Sequence, residues 1–166
     1  MDFADENGLG RGKTELLKIG LETGGDAGMP VRPDFARLMA RYGGSPRVLV
    51  VEDDHLIGTD IAHSLRETGY EVVGIANTPD AALDFLAMRE GRIDCAVIDI
   101  QLDDETSQPV AEQLDQLAIP YVVVTGHTEA TVRRLGIDAP VIEKPFDGVR
   151  LSADLTSLLL VQIELD

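Results

Sequence analysis

From Arg47 onward, short apolar runs alternate with segments of helical periodicity, and this alternation limits what the chain can fold into. The apolar runs are typical of buried strands, and the amphipathic segments between them are typical of helices. Strands that alternate with helices predict a parallel sheet covered on both faces. The predicted strands are 48–51, 70–76, 93–99, 120–125 and 141–143, and the predicted helices are 56–68, 79–90, 108–117, 129–135 and one that follows Asp147.

The order of the strands follows from the way such chains connect. Right-handed crossovers favour a doubly wound α/β fold, with a five-stranded parallel sheet in the order 2-1-3-4-5. We therefore predict one domain over residues 47–166, preceded by a short extension over residues 1–46.

Polar side chains stand at the carboxyl ends of four of the five predicted strands. In the predicted order those four strands are neighbours, so their ends meet in the crevice where open α/β sheets bind ligands. The second strand lies at the edge and is followed by uncharged residues. The side chains at the crevice are Glu52, Asp53 and Asp54 after strand one, Asp99 at strand three, Thr125 at strand four and Lys144 at strand five.

This set of residues has a coherent chemistry. Clustered carboxylates repel one another unless a cation neutralises them, and Mg²⁺ in proteins is held by one or two carboxylates plus waters. Thr125 offers a hydroxyl, and Lys144, the only lysine after residue 46, offers a compact positive charge. A metal ion, an ammonium and a hydroxyl around Asp99 form a site for a phosphoryl group on that carboxylate. The alternatives are that Asp99 only marks the end of a strand and that the acids after strand one only cap a helix, as Asp54 is expected to do.

Four separated segments resemble the receiver domain of two-component response regulators. They are residues 48–54 (VLVVEDD), 97–99 (VID), 124–126 (VTG) and 143–146 (EKPF). The resemblance covers residues 47 to about 160 and implies the flavodoxin-like receiver fold. Residues 108–111 and 119–126 are further similar to single-domain receivers of alphaproteobacteria.

By this resemblance, Asp99 is the phosphoacceptor for a sensor histidine kinase or a histidine phosphotransferase, with Mg²⁺ as the cofactor. The family signals rather than acting as an enzyme on a separate substrate, so self-catalysed phosphotransfer and autodephosphorylation are the only catalysis expected. His127, like Gln101, occupies a position that borders the site in this family. The resemblance assigns the phosphoryl contacts to Thr125 and Lys144, and the metal to Asp53, Asp99, the backbone carbonyl of Gln101 and, largely through water, Glu52.

Two departures from the family pattern bear on how a signal would be read out. The position three before Lys144, usually aromatic in the family's switch, is Val141, and the loop over residues 102–105 is acidic and lacks the usual Met-Pro. These departures keep open a second hypothesis, a phosphorylation-independent adaptor whose receiver chemistry has decayed. The main hypothesis is a stand-alone receiver that acts by protein–protein contact or as a phosphate sink, because the residues after Phe146 suffice only for the last helix.

The extension over residues 1–46 is predicted to be partly helical or disordered. Helical patterns cover residues 15–22 and 35–42, and the second helix could dock on the main domain or on a partner. Residues 8–14 (GLGRGKT) imitate a phosphate-binding loop, but only three residues separate Gly8 from Gly12 where the motif requires four, so nucleotide binding is not expected.

The net charge of the chain bears on which kinds of molecule it can bind. The formal net charge is −16, from 14 basic and 30 acidic residues, which argues against direct nucleic-acid binding. No apolar run is long enough to predict a membrane span, and the acidic amino terminus does not resemble a signal peptide. The single cysteine, Cys95, is predicted to be a buried core residue, and a cytoplasmic location is expected.

Overall fold

The computed structural model describes residues 32–88 and 92–166, and the predicted helix over 15–22 and the glycine-rich stretch over 8–14 lie outside these residues. The strands are β1 (Arg47–Val51), β2 (Glu71–Ala76), β3 (Cys95–Ile98), β4 (Gln101–Leu102), β5 (Glu105–Thr106), β6 (Tyr121–Thr125) and β7 (Val141–Glu143). Five of them form one parallel sheet in the order β2-β1-β3-β6-β7, and β4 and β5 form a separate hairpin. Since β4 and β5 lie outside the sheet, this order is the predicted 2-1-3-4-5 order, which confirms the doubly wound fold.

Helices cover both faces of the sheet, and their starts follow local capping chemistry. The side chain of Asp54 accepts hydrogen bonds from the second and third residues of its helix, and Thr78 and Asp147 cap two other helices in a similar way. Each face of the sheet has its own apolar cluster, so the sheet is buried on both sides. The helices are α1 (Pro33–Tyr42), α2 (His55–Glu67), α3 (Pro79–Ala87), α4 (Gln108–Gln116), α5 (Glu129–Arg134) and α6 (Gly148–Leu165).

Two predicted elements of the main domain differ from the structure by more than one residue at one end. The helix predicted over 79–90 stops at Ala87, because Met88 takes an extended conformation while its N–H still donates to the Asp84 carbonyl. The third strand was predicted over 93–99, but its ladder covers only Cys95–Ile98, so Asp99 is the first residue after the strand.

The segment after Asp99 is a hairpin rather than the loop that its polar composition predicts. Gln101 pairs with Thr106, and Leu102 pairs with Glu105. The turn between them contains Asp103, whose φ of 52° lies in the left-handed region. The hairpin therefore keeps the acidic segment next to the crevice.

Helix α1 packs on the same core as the sheet, as one of the predicted alternatives for this helix required. Phe35 and Leu38 are buried in the cluster that also contains side chains of α2 and α6. The Phe35 ring meets the Tyr70 ring edge-on, with 5.1 Å between centroids. Gly69, at a φ of 104°, lets this ring approach closely, because a Cβ at that position would lie 2.6 Å from the Phe35 ring.

Candidate functional site

The carboxyl ends of β1, β3, β6 and β7 bring the predicted site residues together. The Asp99 N–H donates to the Val51 carbonyl at 2.8 Å, and the Lys144 N–H donates to the Thr125 carbonyl at 2.8 Å. These bonds continue the alignment of the strands one residue beyond their ends. The polar residues that follow these strands are therefore aligned at the same edge of the sheet, in the crevice that the strand order predicts.

Lys144 is the electrostatic centre of this crevice. Its Nζ lies 2.6 Å from Asp99 Oδ2 and 2.7 Å from Glu52 Oε2, and all three side chains are largely shielded from solvent. Burial alone lowers the pKa of the amine, but the hydrogen bonds and charges of Asp99 and Glu52 outweigh it, so the pKa lies above its ordinary value. Lys144 is consequently a fixed positive charge at neutral pH.

Glu52 is the most deeply buried carboxylate of the site, at 2% exposure. Burial raises its pKa, against the opposing effect of Lys144, and the nearby charge of Asp99 raises it further. Its second oxygen, Oε1, accepts a hydrogen bond from the Asp54 N–H at 3.2 Å. Glu52 thus stays oriented toward the crevice, while the Asp54 side chain turns away to cap α2.

The donor set of the crevice fits a hard divalent cation. One carboxylate oxygen from each of Glu52, Asp53 and Asp99 lies within 4.8 Å of the other two. Lys144 contacts two of these groups but not Asp53, whose Oδ2 instead accepts the N–H of Asp103 at 3.0 Å. Three carboxylates against one ammonium leave the crevice with an excess of negative charge, and oxygen ligands are those that Mg²⁺ prefers.

Thr125 and His127 lie at the end of β6. Thr125 is fully buried, and its Oγ1 accepts a hydrogen bond from the His127 N–H at 3.3 Å. His127 itself is exposed, and its main chain lies next to Thr125. Val141, at the position that is usually aromatic, is half-buried in β7.

Two residues that the sequence did not single out take part in the site. The Asp103 N–H contacts the candidate metal ligand Asp53, and the Ser107 hydroxyl donates to the main-chain carbonyl of Asp99. Ser107 stands directly before a helix, a position at which a serine ordinarily signals only a cap, and Asp103 belongs to an acidic run without periodicity. Gln101, which was singled out for its carbonyl, also donates its N–H to Asp99 Oδ1 at 3.1 Å.

A family model described as the response regulator receiver domain matches residues 48–156. The chain belongs to the response regulator receiver family. The residues matched include the crevice just described, from Glu52 to Lys144.

Relatives in the family have related sequences over part of their length. The chain is 30% identical over 121 residues to the phyllosphere-induced regulator PhyR of Methylorubrum extorquens, covering 69% of this chain and 44% of that protein. It is 31% identical over 104 residues to the transcriptional regulatory protein PdtaR of Mycobacterium tuberculosis, covering 60% of this chain and 50% of that protein. The chain thus spans about half the length of these relatives.

Solved structures share the fold. A response regulator receiver protein from Sinorhizobium medicae superposes with a TM-score of 0.65 at 23% identity, covering 71% of this chain and 97% of the other. The response regulator PhyR from Brucella abortus superposes with a TM-score of 0.63 at 25% identity, covering 78% of this chain and 54% of the other. Among the helices of the described residues, none combines the length and apolarity needed to cross a bilayer.

Proposed function

We propose that this protein is a receiver that takes a phosphoryl group onto Asp99 from the phosphohistidine of a sensor histidine kinase or a histidine phosphotransferase. The observation that carries the proposal is the position of Asp99, which contacts the Lys144 ammonium and has a carboxylate oxygen within 4.8 Å of oxygens of two further carboxylates. This arrangement places a cation and a candidate metal site beside the Asp99 carboxylate, and positive charge there offsets the negative charge of a transferring phosphoryl group.

The proposed transfer is a single displacement at phosphorus. An oxygen of Asp99 forms a bond to phosphorus while the P–N bond of the phosphohistidine breaks, and its electron pair stays on the imidazole nitrogen, which takes up a proton. The product is an acyl phosphate on Asp99. Attack by water at phosphorus then releases inorganic phosphate and restores the carboxylate.

Each remaining site residue has a role in this transfer. The Lys144 ammonium has three N–H donors, of which Asp99 and Glu52 take two, so the third is available for a phosphoryl oxygen. The Thr125 hydroxyl, which now accepts from His127, can donate to a second phosphoryl oxygen. Glu52, Asp53, Asp99 and the Gln101 carbonyl are the proposed holders of Mg²⁺, and the bound ion supplies positive charge that offsets the negative charge of the transferring group.

The proposed output is protein–protein contact or drainage of phosphate from a kinase, in the cytoplasm. The structure of the anti-anti-sigma factor PhyR from Bartonella quintana is 24% identical to this chain in sequence, so its likeness to this chain concerns the fold. The net charge of −16 favours a partner with a basic surface over nucleic acid.

A second candidate function is a phosphorylation-independent adaptor. Val141 favours it, because the aromatic side chain by which many receivers couple phosphorylation to their surface is missing there. The two candidates differ in whether Asp99 reacts.

The experiment that separates them is transfer of labelled phosphate from an autophosphorylated histidine kinase panel, or from acetyl phosphate, with Mg²⁺ present. We expect the intact protein to be labelled and Asp99→Asn to remain unlabelled. The control is Asp54→Asn, which retains helix capping and leaves the crevice unchanged. Label that persists in Asp99→Asn would identify a different acceptor, and an unlabelled wild-type protein would favour the adaptor.

A further inference from the structure

Ser107 is a buried serine at a helix N-cap position, but its side chain does not cap the helix. It immediately precedes α4, where a serine ordinarily accepts a hydrogen bond from an N–H of the first helical turn. Ser107 is fully buried, and its side chain makes no such cap. Its hydroxyl instead donates to the Asp99 carbonyl, while Thr106 Oγ1 accepts the Gln108 N–H at 3.3 Å.

The main chain of Ser107 joins the same two elements. Its N–H donates to the Ile100 carbonyl at 2.9 Å, and its carbonyl accepts the N–H groups of Val110 and Ala111, each at 3.0 Å. Ser107 therefore connects the first turn of α4 by hydrogen bonds to the two residues that follow β3, where the β4–β5 hairpin begins and ends. No other described residue is hydrogen-bonded to both the main chain of Asp99 and that of Ile100.

The Asp99 carbonyl depends on this contact, because it lies beyond the sheet ladder. The pairing of β1 with β3 ends with Val51 and Ile98, and the Asp99 N–H makes one more bond to the Val51 carbonyl. The Asp99 residue is 7% exposed. A buried carbonyl that loses its donor is costly, so the local main chain is expected to shift when Ser107 loses its hydroxyl.

The side-chain contacts of Asp99 differ in kind from this main-chain contact. Gln101 and Lys144 hold the two carboxylate oxygens, which are the atoms that change when an acyl phosphate forms. The main-chain bonds to Val51 and Ser107 involve atoms that do not react. These bonds orient the Asp99 main chain and with it the direction of the Cα–Cβ bond, and reaction rates are sensitive to displacements of about 1 Å.

We propose that Ser107 is a positioning residue that holds Asp99 in the orientation required for phosphoryl transfer. This inference rests on the proposed function of Asp99 as the phosphoacceptor. It assigns the serine hydroxyl a role in the site beyond capping or filling the core.

The test compares Ser107→Ala with Ser152→Ala. Ser152 is also buried, at 4% exposure, but it lies on α6, and its Oγ accepts the hydroxyl of Thr68, which is not one of the crevice residues, at 3.1 Å. Labelling by acetyl phosphate with Mg²⁺ is expected to be about tenfold slower in Ser107→Ala and within about twofold of wild type in Ser152→Ala. Ser107→Thr, which restores the hydroxyl, is expected to recover at least part of the rate.

A second measurement is independent of phosphorylation. In ¹H–¹⁵N spectra of the unphosphorylated protein, the amide of Gln101, which is bonded to Asp99 Oδ1, is expected to shift in Ser107→Ala and not in Ser152→Ala. Equal rates in the two alanine variants, or an unchanged Gln101 amide in Ser107→Ala, would overturn the positioning role.

If wild type itself is not labelled, the proposed function fails, and the Gln101 amide still decides whether Ser107 positions Asp99. If Ser107→Ala does not fold, Ser107→Thr and Ser107→Cys provide the same comparison.

Discussion

Lys144 Nζ lies 2.6 Å from Asp99 Oδ2, although the two residues follow strands that are separated in the sheet by β6. The lysine side chain therefore reaches across the end of β6 to the candidate phosphoacceptor. In the same position it contacts Glu52, which follows β1. One ammonium thus links residues that follow three of the five strands of the sheet.

Removal of this ammonium is expected to destabilise the metal-free protein. In Lys144→Ala, Glu52 and Asp99 would be left as buried carboxylates without a cationic partner, which typically costs about 3 kcal/mol of unfolding free energy. Urea unfolding followed by circular dichroism measures this loss. Mg²⁺ is expected to restore part of the stability, because it neutralises the same carboxylates. A Lys144→Ala variant as stable as wild type without metal would contradict the central role of this charge.

Mg²⁺ is expected to stabilise the wild-type protein through Asp53. A ligand that binds only the native state at 100 times its dissociation constant adds about 2.7 kcal/mol to the unfolding free energy. Asp53→Asn is expected to weaken this response strongly. The control, Asp54→Asn, changes the neighbouring acid but keeps its capping role, and it is expected to respond as wild type does. Thermal unfolding over a Mg²⁺ series provides the measurement, and equal responses in the two variants would argue against Asp53 as a ligand.

Cys95 is expected to make the protein sensitive to alkaline pH. Burial raises the pKa of its thiol well above the ordinary value of 9.0, so the native state keeps the proton that the unfolded state releases. The stability associated with this thiol is therefore complete below pH 9 and decreases as pH rises above it. At pH 10 this effect amounts to about 1.4 kcal/mol.

The comparison for that prediction is Cys95→Ala, which removes the thiol. The difference in unfolding free energy between wild type and this variant is expected to decrease by about 1.4 kcal/mol between pH 8 and pH 10, as measured by urea unfolding. A difference that is constant over this range would mean that the thiol ionises as readily in the native state as in the unfolded one.

Helix α1 is expected to contribute to the stability of the sheet domain. Leu38 is fully buried, so Leu38→Ala is expected to cost about 3 kcal/mol of unfolding free energy. Met39, on the same helix but 36% exposed, is the matched control, and Met39→Ala is expected to cost less than about 1 kcal/mol. Urea unfolding checks both values. Similar small losses in the two variants would mean that α1 contributes little to the native state.

Much of the site could be predicted from the sequence, because the order of the strands in the sheet determines which strand ends lie next to one another. Once the apolar runs predict a parallel sheet in the order 2-1-3-4-5, the acids after β1 and the residue after β3 have to meet. The structure brings Glu52, Asp53 and Asp99 to within 4.8 Å of one another, with Lys144 among them. Their roles in phosphoryl transfer and metal binding remain proposals.

The hairpin over residues 101–106 could not be predicted, because contacts distant in sequence hold it. Its two strands have only two residues each, and its turn requires a left-handed Asp103 whose N–H is bound by Asp53, fifty positions earlier. Short polar segments of this kind carry no periodicity. The docking of α1 is similar: periodicity predicted the helix, but its position depends on Gly69 leaving room for Phe35.

Apolar periodicity and capping are local properties, so the order of the elements and the residues that follow each strand could be predicted from the sequence alone. How those residues are held depends on contacts that form only in the folded protein. The Ser107 hydroxyl could cap α4 or bind the end of β3, and local sequence does not distinguish the two because both partners are main-chain groups. The hairpin returns the chain so that the Ser107 N–H meets the Ile100 carbonyl and the Ser107 hydroxyl meets the Asp99 carbonyl.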